Sequence, residues 1–395
     1  MTDPVILSAV RTPIGGFMGG LATTSAPALG ALVVRDAVER AGVGPGAVDE
    51  VLMGNILSAG LGPNVARQAG VAAGLPDSVP ATTVNKLCGS GLKAVALAAQ
   101  AIRAGDAALI VAGGTENMSA APYLLERARE GYRLGHGTLV DSMQRDGLEC
   151  AICDSSMGET AENIVDDFGV NREDQDDFAA RSQARAAEAI DSGVFDEEII
   201  GVEVPQRRGD PILVVRDEHP RPGTEAEQLG KLKPAFRPGG TVTAGNSSGI
   251  NDGAAATVVA SATRAQELGA APLATIRSYA SAGVAPRIMG MGPVGAINQA
   301  LQRAGIEVGD LDLIELNEAF AAQSLAVCRE LGLPQERTNV HGGAIALGHP
   351  VGASGARVLT TLLYAMKRRD ARLGLAALCI GGGQGIAMVI ERTES

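Results

Sequence analysis

The sequence contains no tryptophan, and phenylalanine with tyrosine brings the aromatic content to only 3%. A chain of 395 residues with so few rings must fill its interior with aliphatic and small side chains. Positive charge is also short. Lysine and arginine number 33 against 45 aspartates and glutamates, a formal charge of −12. That balance argues against general nucleic-acid binding and against adhesion to an anionic membrane. No apolar run reaches the roughly 18 residues of a membrane span. The first residues lack the pattern of a signal peptide, and Glu391-Arg392-Thr393-Glu394-Ser395 carries no peroxisomal or retention address. A cytoplasmic location is the expectation. Cysteines are few, odd in number and scattered, at 88, 150, 153, 328 and 379. They do not form a secreted disulfide framework. Cys150-Ala151-Ile152-Cys153 stands without a second ligand pair. Zinc needs about four ligands, so no metal is expected there, and a redox role for the pair is equally weak on spacing alone.

What is present is a large apolar fraction, 46%, and 52 glycines. The length suggests two or three domains. From Val5 to Gly114 strand and helix patterns alternate. Strands are expected at 5–9, 48–54, 80–84 and 107–112, the last ending at Gly113-Gly114. Helices are expected at 27–41, 65–73 and 92–102. Alternation of this kind predicts an α/β fold with a largely buried sheet.

The last third repeats the first. Ala37-Val38-Glu39-Arg40-Ala41-Gly42-Val43 matches Ala300-Leu301-Gln302-Arg303-Ala304-Gly305-Ile306 at an offset of 263, and Asp49 meets Asp312 at the same offset. Ser90-Gly91 meets Ser354-Gly355 at 264, and Ala112-Gly113-Gly114 meets Ile380-Gly381-Gly382 at 268. Two copies of one α/β unit, packed against each other, are the expectation. The divisions are residues 1–118 completed by about 242–270, an inserted stretch 119–241, and residues 271–395. Within the insertion, Tyr123 to Arg145 reads as an irregular polar loop. Asp154 to Glu198 carries 14 acids against three arginines and reads as helices with a solvated face. Arg207 to Arg237 is locally basic and loop-like, a plausible place for substrate.

Candidate chemistry gathers at four places. In Asn85-Lys86-Leu87-Cys88-Gly89-Ser90-Gly91 a strand turns sharply into a helix, and the glycines permit a tight backbone. A thiol there meets the positive end of a helix dipole, which favours thiolate, and free N–H groups that can hold an oxyanion. A buried, inert cysteine is the competing reading. His349, in Gly348-His349-Pro350, lies in the loop that the repeat sets opposite the Cys88 turn, and could supply a base. Cys379 ends a strand before Gly381-Gly382-Gly383-Gln384-Gly385. That run is not a dinucleotide loop, because Ile386 to Glu391 read as a strand rather than a helix. Taken alone, Cys379 reads as a core thiol. Asn317, in Asn317-Glu318-Ala319-Phe320, is either a helix N-cap or a polar site residue.

These four motifs, with Arg11-Thr12-Pro13-Ile14-Gly15 at the start, resemble the thiolase family over residues 5–391. The resemblance implies two similar α/β halves in five layers, α-β-α-β-α, with a loop domain between them. It implies coenzyme A thioesters as substrates and no further cofactor. The expected reaction is condensation of two acetyl-CoA to acetoacetyl-CoA and CoA, or the reverse thiolysis, by ping-pong chemistry. Carried over by residue, His349 activates Cys88, which takes the acyl group, and Cys379 is the acid/base at the α-carbon. His349 with a water on Asn317 would hold the enolate, and the N–H groups of Cys88 and Gly381 the acyl carbonyl. Arg221, Phe236, Ser248, Met157 and Phe320 would bind coenzyme A. Tyr123 to Arg145 corresponds to the tetramerisation loop, so a homotetramer is expected. Met289 resembles the short-chain members. Ser156 stands where biosynthetic short-chain members usually carry His, and Gln228 where they carry Ser, which bears on pantetheine contacts and chain length. A broad-chain 3-ketoacyl-CoA thiolase is the runner-up. A ketoacyl synthase would place a second histidine at Cys379, and a non-catalytic acyl-CoA carrier would lack one of the four motif residues.

Overall fold

A computed structural model describes residues 3–393. The readings that touch residues 1–2 and 394–395 lie outside the described residues. The first half contributes strands β1 (Pro4–Arg11), β2 (Glu50–Gly54), β3 (Ala81–Val84), β4 (Leu109–Asn117) and β5 (Asn251–Ser261). They lie in the order β3-β2-β4-β5-β1. The second half contributes β6 (Ala274–Gly283), β7 (Leu313–Leu316), β8 (Leu373–Ile380) and β9 (Gln384–Arg392), in the order β7-β8-β9-β6. The two sheets meet where β1 pairs with β6 through Val5–Thr275 and Ile6–Ala274.

The main pairings of one half recur in the other. β1–β5 and β6–β9 are antiparallel, as are β5–β4 and β9–β8, while β4–β2 and β8–β7 are parallel. Thr338, bridging parallel to Ile314, takes the place that β3 holds beside β2. Side-chain details repeat too. The register shifts between Ile6 and Ser8 and between Ile276 and Ser278, and each of those serines donates 2.6 Å to a helix carbonyl, Ala37 or Ala300. Asp49 accepts from the N–H groups of Ala108 and Leu109, and Asp312 from those of Arg372 and Leu373. One correction follows. Val51 pairs with Val111 and Ile314 with Leu375, so the last block repeats at 264 and not 268. Gly113-Gly114 therefore correspond to Ala377-Leu378, and the Gly381 run has no glycine counterpart.

Period-two alternation sends successive strand residues to opposite faces and so builds five layers. Val51 and Met53 pack outward on α1 (Ala26–Arg40) and α2 (Val65–Ala72), while Leu52 faces inward. The central layer is α3 (Ser90–Ala104) with α8 (Ser354–Arg369), joined by Leu92, Val95, Val358 and Leu362. Ala376 and Leu378 meet that layer. Leu375 and Ala377 face the other way, onto α6 (Gly292–Ala304) and α7 (Ala321–Leu331). β4 runs on through the glycine pair to Asn117, longer than the sequence pattern suggests. An added Cβ on Gly113 would stand 2.1 Å from the Ala255 oxygen, so glycine there serves close strand approach.

The insertion carries α4 (Met157–Phe168), α5 (Arg172–Asp191) and three short hairpins. Its acidic run is only partly a solvated face. Glu162, Asp176 and Glu198 are buried. Glu162 accepts from the N–H groups of Thr241 and Val242, Asp176 from Asn246, and Glu198 from Arg11. These acids anchor the insertion to the core. Tyr123 to Arg145 is not simply polar either. Tyr123–Leu125 pairs with Leu139–Asp141, and Tyr123, Leu125, Leu134 and Leu139 are exposed.

Candidate active site

β3 ends at Val84, and the next residues fold back before α3 begins. Leu87 carries a positive φ of 47°, which an L-residue adopts only when its surroundings enforce it. Three bonds do so: Leu87 N–H donates to Asn85 Oδ1, Lys86 N–H to Ser90 Oγ, and Ser90 Oγ to the Leu87 carbonyl. The tight position is therefore Leu87, not the glycines. Gly89 and Gly91 are needed for a different reason. A Cβ would stand 2.4 Å from Ile380 Cδ1 at the first and 2.7 Å from the Ala356 nitrogen at the second. Gly89 caps α3 without a side-chain bond, and the N–H groups of Gly89 and Ser90 donate back to the Lys86 and Leu87 carbonyls.

Burial works against the expected thiolate. Burial pushes the Cys88 thiol up to about 11, against the backbone of Gly381 and of Cys88 itself, which favours the charged sulfur; the Glu116 charge adds to the rise. Here desolvation outweighs the helix terminus. Cys379, buried at the end of β8, is pushed up by burial and by the neighbouring Cys88. His349 is pushed down to about 3 by burial and by the Arg357 charge. Two neutral thiols thus face a neutral imidazole.

The His349 loop is tied from several sides. Its N–H donates 2.9 Å to Asn251 Oδ1, whose Nδ2 donates to the Gly15 carbonyl. Ser354 Oγ donates to the Pro350 carbonyl at 2.9 Å and lies 2.5 Å from His349 Nδ1. With the hydroxyl proton committed to Pro350, Nδ1 is the donor to Ser354, and Nε2 keeps its lone pair. Asn317 Nδ2 lies 3.5 Å from that Nε2. Asn317 is buried and is not the N-cap of α7, which is Phe320. Its Oδ1 has no hydrogen-bond partner among the described residues.

Cys88, His349 and Cys379 line one cavity of about 790 Å³. Met157, Arg221, Phe236, Ser248 and Phe320 line the same cavity, with Met289, Ser156 and His219. Asn317 and Gly381 stand behind its wall, reaching His349 and Cys88 respectively. Phe236 and Phe320 meet edge to face at 6.0 Å. Phe236 lies over Gly158, where a Cβ would stand 2.2 Å from the ring. Ser156 caps α4 by accepting from Glu159 N–H. Gln228, in the short helix Ala226–Leu229, is not among the lining residues.

Sequence reasoning missed the supports. Glu116, buried and pushed up to about 7 by burial, accepts from Asn55 Nδ2 and from the N–H groups of Ile56, Leu57 and Gly352. It ties the turn after β2 to the loop that carries His349. An acid at the end of an apolar strand signalled it. Ser354 was visible as the repeat partner of Ser90, and Asn251 gave no signal.

The N-terminal thiolase domain matches residues 4–263 and the C-terminal thiolase domain residues 270–392. The chain is 60% identical over 392 residues to the acetyl-CoA acetyltransferase of Pseudomonas aeruginosa, covering 99% of this chain and 100% of that one. It is 60% identical over 393 residues to that of Escherichia coli, with the same coverage. The crystal structure of the Bacillus anthracis acetyl-CoA acetyltransferase matches with a TM-score of 0.98 at 46% identity, over 100% of this chain and 99% of that one. The chain belongs to the thiolase family.

Proposed function

We propose that the chain is an acetyl-CoA C-acetyltransferase, joining two acetyl-CoA into acetoacetyl-CoA and CoA and running the thiolysis in reverse. The observation that carries this reading is the meeting of Cys88, Cys379 and His349 in one cavity. In the first half-reaction His349 Nε2 takes the Cys88 proton as the sulfur attacks the thioester carbonyl. The developing oxyanion sits on the N–H groups of Cys88 and Gly381. CoA leaves with the proton from His349. In the second, Cys379 removes a proton from the methyl carbon of a new acetyl-CoA. The enolate oxygen accepts from a water on Asn317, and from His349 only where Nε2 carries a proton. The carbanion attacks acetyl-Cys88, the Cys88 sulfur leaves, and Cys379 returns the proton. Each step is an acyl or proton transfer among these groups, so the reaction asks for no metal and no redox cofactor.

Arg221, exposed at the rim, suits the nucleotide end of coenzyme A, while Met157, Ser248, Phe236 and Phe320 suit the pantetheine arm. A homotetramer belongs to the same reading, supported by the exposed Leu134 and its apolar neighbours on the 123–141 hairpin. So does a cytoplasmic place, supported by five free cysteines.

Brief exposure to radiolabelled acetyl-CoA tests the mechanism. Label should appear on Cys88 and be absent in Cys88→Ala, which should also lose turnover. Cys379→Ser should keep labelling and lose condensation. Near-normal turnover in Cys88→Ala would overturn the nucleophile. A strong preference for long 3-ketoacyl-CoAs over acetoacetyl-CoA would overturn the short-chain assignment.

A further inference from the structure

Glu116 stands near the end of β4, outside the cavity lining and without a step in the reaction above. It is fully buried, and each carboxylate oxygen accepts two hydrogen bonds. Oε1 takes Asn55 Nδ2 at 2.8 Å and the Leu57 N–H at 3.1 Å. Oε2 takes the Ile56 N–H at 3.1 Å and the Gly352 N–H at 3.0 Å. The Asn55, Ile56 and Leu57 donors belong to the turn after β2, in the first half. The Gly352 donor belongs to the His349 loop, in the second. All four are neutral amides that can only donate.

The Gly352 peptide is wedged as well as bonded. A Cβ on Gly54 would stand 2.7 Å, and one on Gly114 2.1 Å, from the Gly352 oxygen. A Cβ on Gly352 itself would stand 2.6 Å from Glu116 Oε2. The adjoining Val351 packs with Ile56, Leu57 and Met118, and Leu87 and Cys88 pack against that cluster. One carboxylate thus joins the two halves where the surroundings of the nucleophile meet the loop of the base.

We propose that Glu116 is a positioning residue for acyl transfer: as a carboxylate it holds the His349 loop against the Cys88 turn, and as a neutral acid it lets that loop go. This rests on the acyl-transfer reading above. A carboxylate has about four lone-pair sites, and four donors fill them here, so an added proton displaces one N–H group. Burial lifts the Glu116 carboxyl to about 7, against the N–H groups of Leu57, Ile56 and Gly352, and the Asp252 charge adds to the rise. The elements packed around it bring Asp252 on β5, itself accepting from Ser119, together with Cys88 and His349. Cys88, at about 11, and His349, at about 3, titrate outside the neutral range. A purely electrostatic role has the opposite sign. The Glu116 charge raises the Cys88 thiol, so removing it would favour attack.

Two measurements on the full-length enzyme test this. In the wild type, amide hydrogen exchange of the peptide spanning 349–353 is compared with its intrinsic rate at each pH. Protection should fall about tenfold from about pH 8 to about pH 6, the scale of one bond to a buried charge. Steady-state kcat should rise with pH through the same range, with KM for acetyl-CoA little changed. Glu116→Gln keeps one oxygen and turns an NH2 group on two of the donors. Its kcat should lie roughly tenfold to a hundredfold below the wild-type plateau, the effect of displacing a base by about 1 Å, with no step near neutrality. Equal protection on both sides of neutrality would overturn the proposal. So would a step that persists in Glu116→Gln, or a variant faster than wild type, which would leave Glu116 only its charge effect on Cys88. The exchange readout needs neither a variant nor turnover. It decides the question even where Glu116→Gln does not fold, and its failure is distinct from failure of the proposed activity.

Discussion

His349 Nδ1 lies 2.5 Å from Ser354 Oγ, and that hydroxyl is itself bonded to the Pro350 carbonyl. The serine therefore decides which imidazole nitrogen carries the proton. Its counterpart in the first half, Ser90, bonds the Leu87 carbonyl three residues back rather than four, and binds the Lys86 N–H instead of a side chain. One helix-start device holds the nucleophile's turn in one half and the base's tautomer in the other.

Ser354→Ala should let His349 take the other tautomer part of the time. A positioned base is worth roughly 10²–10⁴ in rate, and this change misorients the base without removing it. We expect kcat to fall about tenfold to a hundredfold with KM little changed, and stability to drop by about 1 kcal/mol for the lost bond. Ser354→Thr should recover much of the rate. Unchanged kcat in the alanine variant would remove Ser354 from the positioning role.

The neutral state of Cys88 gives a pH signature. Burial holds the thiol up to about 11 and His349 down to about 3. Iodoacetamide labelling of Cys88 in the free enzyme, followed by peptide mass, should climb with pH across the neutral range and bend only near that upper value. A pre-formed thiolate–imidazolium pair would label fast and without pH dependence around neutrality. That outcome would return Cys88 to the activated-thiolate class.

Much of this architecture was legible because it repeats. The helices before Gly42 and Gly305, the aspartates at 49 and 312 and the Ser-Gly pairs all sit at matching places in the two halves. Local pattern also located the Cys88 turn and rejected the dinucleotide loop, since β9 follows the Gly381 run. What failed needed tertiary context. Asn317 looks like a cap, but its backbone N–H donates to Ala377 and its side chain turns toward His349. Glu162, Asp176 and Glu198 look like surface acids until their buried partners are known. The helix start after Cys88 is legible in the sequence, but the burial that opposes a thiolate there is not written in any short stretch of residues.

Glu315 and Arg357 predict a pH effect on stability. They are buried 3.9 Å apart, and all three guanidinium nitrogens of Arg357 lack a hydrogen-bond partner among the described residues. Burial pushes the Glu315 carboxyl up to about 8, against the Arg357 charge, from 4.5 in the open chain. Between those values the folded state holds a proton that the unfolded state has released. Its contribution to stability is fully present below 4.5 and is lost as pH rises through 8. Glu315→Gln should therefore lose that part of the pH dependence and gain relative to wild type as pH rises through this window. Parallel denaturation curves for the two proteins at every pH would contradict the assignment.

Phe236→Ala addresses coenzyme A binding. The ring stands edge-on to Phe320 at 6.0 Å and fills the space over Gly158. It lines the cavity at a distance in sequence from every reacting group. Its contact with the pantetheine arm would be the same in ground and transition states. Losing it should raise KM roughly tenfold and leave kcat near wild type. A fall in kcat with constant KM would mean that Phe236 shapes the reacting centre instead.

The closest test of the central layer is a pair of glycines. Gly91 starts α3 and Gly355 starts α8, and each presses on the other helix. A Cβ on Gly91 would stand 2.7 Å from the Ala356 nitrogen, and one on Gly355 would stand 2.3 Å from the Leu92 nitrogen. Both obstacles are backbone, so no side chain can swing away. Alanine at either site must push apart the two helices that carry Cys88 and His349 at their N-termini. We expect Gly355→Ala to cost at least the 1–3 kcal/mol typical of overpacking, and Gly91→Ala somewhat less. Activity should fall further than stability in both, because the separation opens between the nucleophile and its base. Thermal unfolding and kcat measured together check this. Two variants that unfold at the wild-type temperature would show that the helices do not meet this closely.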